Sequence, residues 1–302
     1  MHQADHECRS LVVLSAHGEQ LVALLLLASA TASCGGLLLL QLGLMRGFAR
    51  APVLRSDASA SPEDTALTVV IPAYNEAANI GPCLQHVLES EPPCADWQVL
   101  VVDDASTDAT TELATQVLAN AVLAERGQPQ IRGEVLQAGS RPEGGCWVGK
   151  NWACAKGMEG VVSGWVVFID ADVRLKPDAL RRALAEAIDE DADPFSLAPR
   201  LVCGCLAEWM VQPIMASLLG LGFPIVEAND PSSDVAFAAG PFMLFRRSAY
   251  DAIGGHRALA GEVVEDLALA RTIKSSGFRL RYVLGLDAVE LQRYSHLPAL
   301  AG

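Results

Sequence analysis

Between residues 21 and 45 no position carries a charge, and LVALLLLASA followed by GLLLLQLGLM is apolar on every side of a helix. Such a helix reaches about 37 Å at roughly 1.5 Å per residue, enough to cross a bilayer. A cleaved signal peptide is the competing reading, but Asp5, Glu7 and Glu19 precede the run with a single Arg, and the run outlasts an ordinary signal core. Arg46, Arg50 and Arg55 follow it closely. Basic residues gather on the cytoplasmic side, so the N-terminus is expected outside and everything after the helix in the cytoplasm. The expected division is a tail over 1–20, a transmembrane helix over 21–45, a linker over 46–66 that is rich in Pro, Ser, Ala and Asp without apolar periodicity from Ala51 to Asp64, and a folded domain over 67–302.

Past the linker the pattern changes period. Thr68, Val69, Val70 and Ile71 form a β-branched run ended by Pro72, and the segment 77–89 then places Ile80, Leu84, Val87 and Leu88 on one helical face. The same alternation returns with residues 99–102 before Asp103 and Asp104, followed by a helix over 108–126 bearing Leu113, Val117 and Leu118. It returns again with residues 165–169 before Asp170, followed by a helix over 177–189. Continuous apolar strands alternating with amphipathic helices predict an α/β domain, a mainly parallel central sheet flanked by helices on both faces.

Each predicted strand ends in polar residues: Ala73-Tyr74-Asn75-Glu76, Asp103-Asp104 and Asp170-Ala171-Asp172. The carboxyl ends of parallel strands in a doubly wound sheet line one edge, where ligands bind. One such cluster is read most simply as a cap or turn; three in succession point to a shared site.

Charge narrows the partners. The net charge is −14, from 22 basic and 36 acidic residues, so a nucleic acid would meet repulsion instead of counterion release. The excess acid lies after Ser61, because Arg9, Arg46, Arg50 and Arg55 balance Asp5, Glu7, Glu19 and Asp57. The 8 cysteines fall in no paired C-x-x-C pattern, and Cys203-Gly204-Cys205 lacks a second ligand pair, so they are read as reduced thiols. A second uncharged stretch, residues 209–226 within the segment 203–228, is interrupted by Pro213 and Pro224. It is either a core helix or an interfacial helix that dips toward lipid and admits an apolar molecule.

Six segments in order resemble the family 2 glycosyltransferases, whose nucleotide-binding fold is of the type called GT-A: TVVIPAYNE (68–76), VVDDASTD (101–108), GKNWACAKG (149–157), FIDADV (168–173), GPFMLFRRSAYDAIGG (240–255) and VEDLALARTIKSSG (264–277). Within the family, G-K-x-W-A, FMLFRR and L-Q-R-Y-S look most like the branch of hopene-associated and carotenoid glycosyltransferases. The resemblance implies an inverting, metal-dependent transfer of a sugar from a nucleotide-diphosphate sugar, a UDP-sugar before others, to a lipid-like acceptor (isoprenoid, hopanoid, carotenoid or glycolipid) at the membrane. It implies that Asp104 sits against the base, with Pro72, Tyr74 and Glu76 lining the same pocket and Asp103 beside them. Asp170-Ala171-Asp172 resembles the D-x-D motif: Asp172 becomes the ligand of Mg2+ or Mn2+ and Asp170 a donor contact, hard cations preferring oxygen ligands. Asp266 becomes the general base for the acceptor hydroxyl, with Glu265 its neighbour. Lys150, approached through Gly144, Gly145 and Gly149, either neutralises diphosphate or is an exposed surface lysine. Gly240 is there for backbone shape or as a donor-binding contact.

Two rivals remain. A nucleotidyltransferase ordinarily needs a Gly-rich basic loop after the first strand, which Ala73-Tyr74-Asn75-Glu76 is not. A truncated, non-catalytic, membrane-associated nucleotide-sugar-binding protein would tolerate loss of Asp172 and Asp266. Members of the family with membrane acceptors commonly continue through Q-x-x-R-W into further membrane helices; here Gln292, Arg293, Tyr294 and Ser295 lead to Gly302, so a shortened form or a naturally short chain is expected.

Overall fold

A computed structural model describes residues 2–57, 65–124, 131–142 and 144–291. The chain divides into two compact units, Met1–Ala49 and Arg50–Gly302. The first is helix α1 (His2–Arg50). Over Val22–Arg50 it is long and apolar enough to cross a membrane, with leucines such as Leu24, Leu26 and Leu39 exposed. It contains the expected span and continues through Arg46 to Arg50, the start of the expected linker.

In the second unit the elements follow as β1 (Ala66–Ala73), α2 (Ile80–Leu88), β2 (Asp96–Asp103), α3 (Thr110–Ala124), β3 (Arg132–Gln137), α4 (Gly149–Gly157), β4 (Trp165–Ile169), β5 (Val173–Leu175), α5 (Ala179–Asp189), β6 (Pro194–Ala198) and β7 (Arg200–Leu201). Then come α6 (Leu206–Gly222), α7 (Ile225–Ala228), β8 (Phe242–Arg246), α8 (Arg247–Ala252), α9 (Gly255–Ala258), α10 (Glu265–Ser275), β9 (Arg281–Leu284) and β10 (Val289–Leu291). The three predicted strand–helix pairs are β1–α2, β2–α3 and β4–α5. The end of the second predicted helix, residues 125–126, and the Gln292–Ser295 segment lie outside the described residues.

The main sheet has the order β3-β2-β1-β4-β8-β6-β9, and a small sheet has the order β5-β10-β7. Strands β3, β2, β1 and β4 run parallel, whereas β8 is antiparallel to both β4 and β6. Strand β1 therefore has β2 on one side and β4 on the other. The crossover direction reverses there, which opens a crevice at the carboxyl ends of these strands.

Alternation along each strand builds two cores. Val69, Ile71, Val99, Val101, Val167 and Ile169 join α2, α3 and α5 on one face. Val70, Leu100, Val102, Val166 and Phe168 join α4, α8 and α10 on the other, as successive side chains on a pleated strand point to opposite sides. Helix α4 lies unusually close to this second face: a Cβ on Gly157 would stand 2.8 Å from both Val70 Cγ1 and Val102 Cγ2. That close approach is what the second glycine of GKNWACAKG provides.

Part of the expected linker is not a loose tether. Val53 pairs in parallel with Leu284 at the β9 edge, and Ala51 and Leu54 are buried. Two charged residues of α5 grip the segment: Arg182 donates to the Leu54 and Arg55 carbonyls at 2.8 and 2.9 Å, and Glu186 accepts the Arg55 amide at 2.7 Å. Residues 58–64 lie outside the described residues. The cysteines whose side chains are described are all free thiols.

The stretch 209–226 is no core helix. Most of it forms α6, whose only fully buried residue is Glu208, while Trp209, Met210, Ile214 and Leu218 are exposed.

Candidate active site

Two loops leaving the carboxyl ends of β1 and β2 brace each other. The Thr107 amide donates to Asn75 Oδ1 at 2.8 Å and the Asn75 amide to Ser106 Oγ at 2.9 Å. The Glu76 amide donates to Thr110 Oγ1 at 2.8 Å, and the Ala77 amide to Asp108 Oδ2 at 3.1 Å. Asn75 and Ala105 sit at φ 55° and 61°, a left-handed conformation that costs a non-glycine residue on the order of 1 kcal/mol or more and persists only where neighbours enforce it. The bracing bonds supply that enforcement. They explain why Asn, Ser, Thr and Asp stand at these positions: they hold Tyr74, Glu76 and Asp104 in place.

These loops open on a cleft of about 450 Å3 lined by Pro72, Tyr74, Glu76, Asp104, Lys150, Asp170 and Asp172. Six of the eight expected donor-binding residues thus converge, whereas Asp103 and Gly240 do not line the cleft. Asp103 is buried, does not line the cleft, and accepts the Ser106 amide at 3.2 Å. Strand parity is the reason: Asp103 continues the face of Val99 and Val101, and Asp104 the face of Leu100 and Val102, where α4 packs.

At one end of the cleft the buried Asp104 accepts a bond from Arg141 Nη2 at 2.5 Å. Gly149 leaves room for this pair, since a Cβ there would lie 2.7 Å from Asp104 Oδ2 and 3.0 Å from Arg141 Nη2. Sequence reasoning missed Arg141. The available signal was the demand for a countercharge beside a buried carboxylate in an acid-rich domain.

Lys150 is not a surface lysine. Its Nζ lies 2.7 Å from Asp170 Oδ1 and 2.6 Å from Glu265 Oε1, with the lysine side chain 29% exposed. Burial works against its charge, but Asp170 and Glu265 outweigh that and hold the ammonium above the ordinary lysine range. Lys150 therefore ties the D-x-D segment to the first turn of α10.

Glu265 and Asp266 open α10. The Gly240 amide donates to Asp266 Oδ2 at 3.0 Å and the Leu267 amide to Asp266 Oδ1 at 2.7 Å. Burial, then the charge of Glu265, raises the Asp266 carboxyl above the usual carboxylate range. Gly240 serves backbone shape, since a Cβ there would press on Asp266 Oδ2 at 3.0 Å, and the contact it makes is to Asp266. The Asp170 amide donates to the Pro241 carbonyl at 3.3 Å, so Gly240 and Asp266 adjoin the D-x-D turn although they do not line the cleft itself.

Asn151, also missed, anchors the loop that leads to α10. Fully buried, it donates through Nδ2 to the carbonyls of Leu259, Ala260 and Glu262 at 2.7, 3.4 and 2.9 Å. Only its burial reveals this role.

Charge decides whether the cleft suits a cation. Asp172 makes no ion pair among the described residues, and burial, then the charge of Glu76, raises its carboxyl above the ordinary range. Asp170 is already paired with Lys150. Among the described residues no group of three or more His, Cys, Asp or Glu side chains forms a closed metal cage. One or two carboxylates completed by phosphate oxygens is the pattern Mg2+ and Mn2+ prefer, and Asp172 and Glu76, neither in an ion pair among the described residues, fit it.

The chain resembles known proteins in sequence and in fold. The pattern of the family described as glycosyltransferase-like family 2 matches residues 62–300. The 4,4'-diaponeurosporenoate glycosyltransferase of Staphylococcus aureus is 25% identical over 236 residues, 76% of this chain and 56% of its own length; the chain thus spans little more than half of the curated relatives it matches. The mannosyltransferase PcManGT of Pyrobaculum calidifontis, solved with GDP-Man and Mn2+, superposes with a TM-score of 0.58 at 21% identity, covering 86% of this chain and 65% of that one. The S. aureus protein TarS, solved with UDP-GlcNAc, superposes with a TM-score of 0.52 at 17% identity over 78% of this chain and 61% of that one. At these identities the likeness establishes the fold, of the GT-A type. With the family pattern running through all but the first helix and its immediate surroundings, the chain belongs to glycosyltransferase-like family 2.

Proposed function

We propose that this protein is an inverting, metal-dependent glycosyltransferase that moves a sugar from a nucleotide-diphosphate sugar to a lipid-like acceptor at the cytoplasmic membrane face. The observation that carries this reading is Lys150, which joins Asp170 at the cleft to Glu265 beside Asp266. A donor site and a basic carboxylate are thereby held within one constellation.

Asp104 and Arg141 receive the nucleotide base, where a carboxylate fixed at a strand end accepts a hydrogen bond from an imide N–H. Pro72, Tyr74 and Glu76 line the nucleotide pocket, and Asp170 and Lys150 approach the diphosphate and sugar. A divalent cation, Mg2+ or Mn2+, held by Asp172 would neutralise charge on the leaving diphosphate. Asp266 takes the proton of the acceptor hydroxyl, whose oxygen attacks the anomeric carbon as the bond to the diphosphate breaks on the opposite face. Direct attack inverts the anomeric centre and needs no carboxylate nucleophile.

Relatives support the substrate classes. The solved neighbours hold GDP-Man with Mn2+ and UDP-GlcNAc, and a UDP-sugar is the first donor to test. The S. aureus relative is named for 4,4'-diaponeurosporenoate, consistent with an isoprenoid, hopanoid, carotenoid or glycolipid acceptor. Helix α1 serves as a single-pass anchor, and Arg46 and Arg50 at its end favour a cytoplasmic domain.

The test is a pair of variants. Asp172→Ala abolishes Mn2+-dependent thermal stabilisation by nucleoside diphosphates and donor turnover. Asp266→Asn keeps that stabilisation and stops transfer. Unchanged transfer by both variants removes the catalytic assignment.

A further inference from the structure

Helix α6 carries an apolar surface that the described residues of the domain leave exposed. Leu206, Trp209, Met210, Ile214 and Leu218 are between 57% and 77% exposed. Three successive positions, Trp209, Met210 and Val211, are all exposed, so at about 100° per residue the apolar surface wraps roughly 200° of the helix and is no narrow stripe. Its one buried polar side chain, Glu208, is spent on the helix start, where it accepts the Gly204 and Cys205 amides. No charge follows until Glu227.

A helix apolar on most sides belongs in a core or in lipid. A second copy or a protein partner would have to enclose it on several sides with matching shape. Lipid does so without complementarity, and α1 exposes the same leucine-rich surface over Val22–Arg50. At 17 residues α6 is about 25 Å long, short of the roughly 30 Å needed to span, so it beds into one leaflet.

Its C-terminal end leads toward the proposed base. Phe223 stacks on Phe237 with centroids 4.8 Å apart, and Phe237 meets Tyr282 edge-on at 5.1 Å. Tyr282 is the β9 neighbour of Ser196, whose Oγ accepts the Ala239 amide at 2.8 Å, and the adjoining Gly240 amide holds Asp266. The three half-buried rings thus link α6, through β9 and Ser196, to the segment that holds Asp266.

We propose that α6 is embedded in the bilayer surface and that Phe223, Phe237 and Tyr282 receive the apolar chain of the acceptor as it passes from lipid toward Asp266. The acceptor half rests on the glycosyltransferase reading; the lipid contact stands without it.

The experiment uses the full chain in phosphatidylcholine–phosphatidylglycerol vesicles with brominated acyl chains. Trp97, Trp152 and Trp165 are buried and Trp147 is half-buried, so Trp209 is the most exposed of the five and bromine is expected to quench wild-type fluorescence well beyond that of Trp209→Phe. Equal quenching in both proteins, or a loss of self-association in Met210→Glu/Ile214→Glu, overturns the lipid contact, the latter assigning the face to a second copy. Retention of a fluorescent long-chain prenyl alcohol, read beside transfer, tests the aromatic path even without turnover. Phe237→Ala weakens prenyl-alcohol binding about tenfold, the scale of one lost aromatic contact, leaves the donor KM in place, and is partly rescued by Phe237→Leu. Unchanged binding in Phe237→Ala refutes the path. Bromine quenching with no transfer from any nucleotide sugar by the wild type would instead refute the glycosyltransferase reading and leave the lipid surface intact.

Discussion

Replacing Lys150 by Met preserves the aliphatic stem and removes the ammonium that Asp170 and Glu265 share. Two close ion pairs, at 2.7 and 2.6 Å, are lost together. A contact this short to a charged group contributes about 1.5–3 kcal/mol net. The side chains are only 29%, 29% and 11% exposed, so water screens the orphaned carboxylates incompletely, whereas relief of the buried ammonium offsets part of the loss. A net destabilisation of about 2–4 kcal/mol follows, which lowers the melting temperature of a domain this size by roughly 5–12 °C. Scanning calorimetry of the full chain in detergent measures the shift, and donor titration measures the cleft.

The pH dependence has a definite sign. Burial raises the Asp170 carboxyl, and without Lys150 it rises further, so the protonated form is favoured on folding. The deficit of Lys150→Met is therefore small below the unfolded carboxylate pKa and grows as pH rises through the folded one. Adding Asp170→Asn recovers part of the stability by neutralising one orphan. An unchanged melting temperature together with an unchanged donor KM would refute the reasoning.

Gly149→Ala forces the Asp104–Arg141 pair aside while disturbing only side-chain ends, so donor KM rises roughly tenfold or more with a stability change under about 1 kcal/mol; steady-state kinetics and calorimetry check both. The acid limb of the kcat profile lies above the ordinary carboxylate range because burial, then Glu265, raises Asp266. Glu265→Gln moves that limb to lower pH, and a limb that stays in place counts against Asp266 as base. Asn151→Ala removes the bonds to the 259–262 loop, costs about 2–3 kcal/mol, and lowers kcat with the donor KM retained, since the loop leads to Asp266 and Arg141 is untouched.

Much of the molecule was legible in its sequence. The charge-free run of α1, the β-branched strands β1, β2 and β4 and the helices behind them follow from local composition, because burial demands apolar side chains at the period of each element. The strand-end position of Asp104, Asp170 and Asp172 followed from the parallel arrangement those strands impose. The linker was misjudged at 51–55, because an irregular segment without periodicity reads as solvent-exposed. Only Arg182, Glu186 and the β9 edge, all distant in sequence, make it part of the fold.

What the sequence determined by itself is therefore the strand and helix pattern, the edge where the polar residues gather, and the family. Tertiary structure alone decided which of two adjacent aspartates faces the cleft, that Arg141 covers Asp104, that Lys150 spans Asp170 and Glu265, and that α6 lies bare. Periodicity is a local property that each segment carries within itself. The pairing of charges and the covering of a surface depend on which distant segments the sheet brings together.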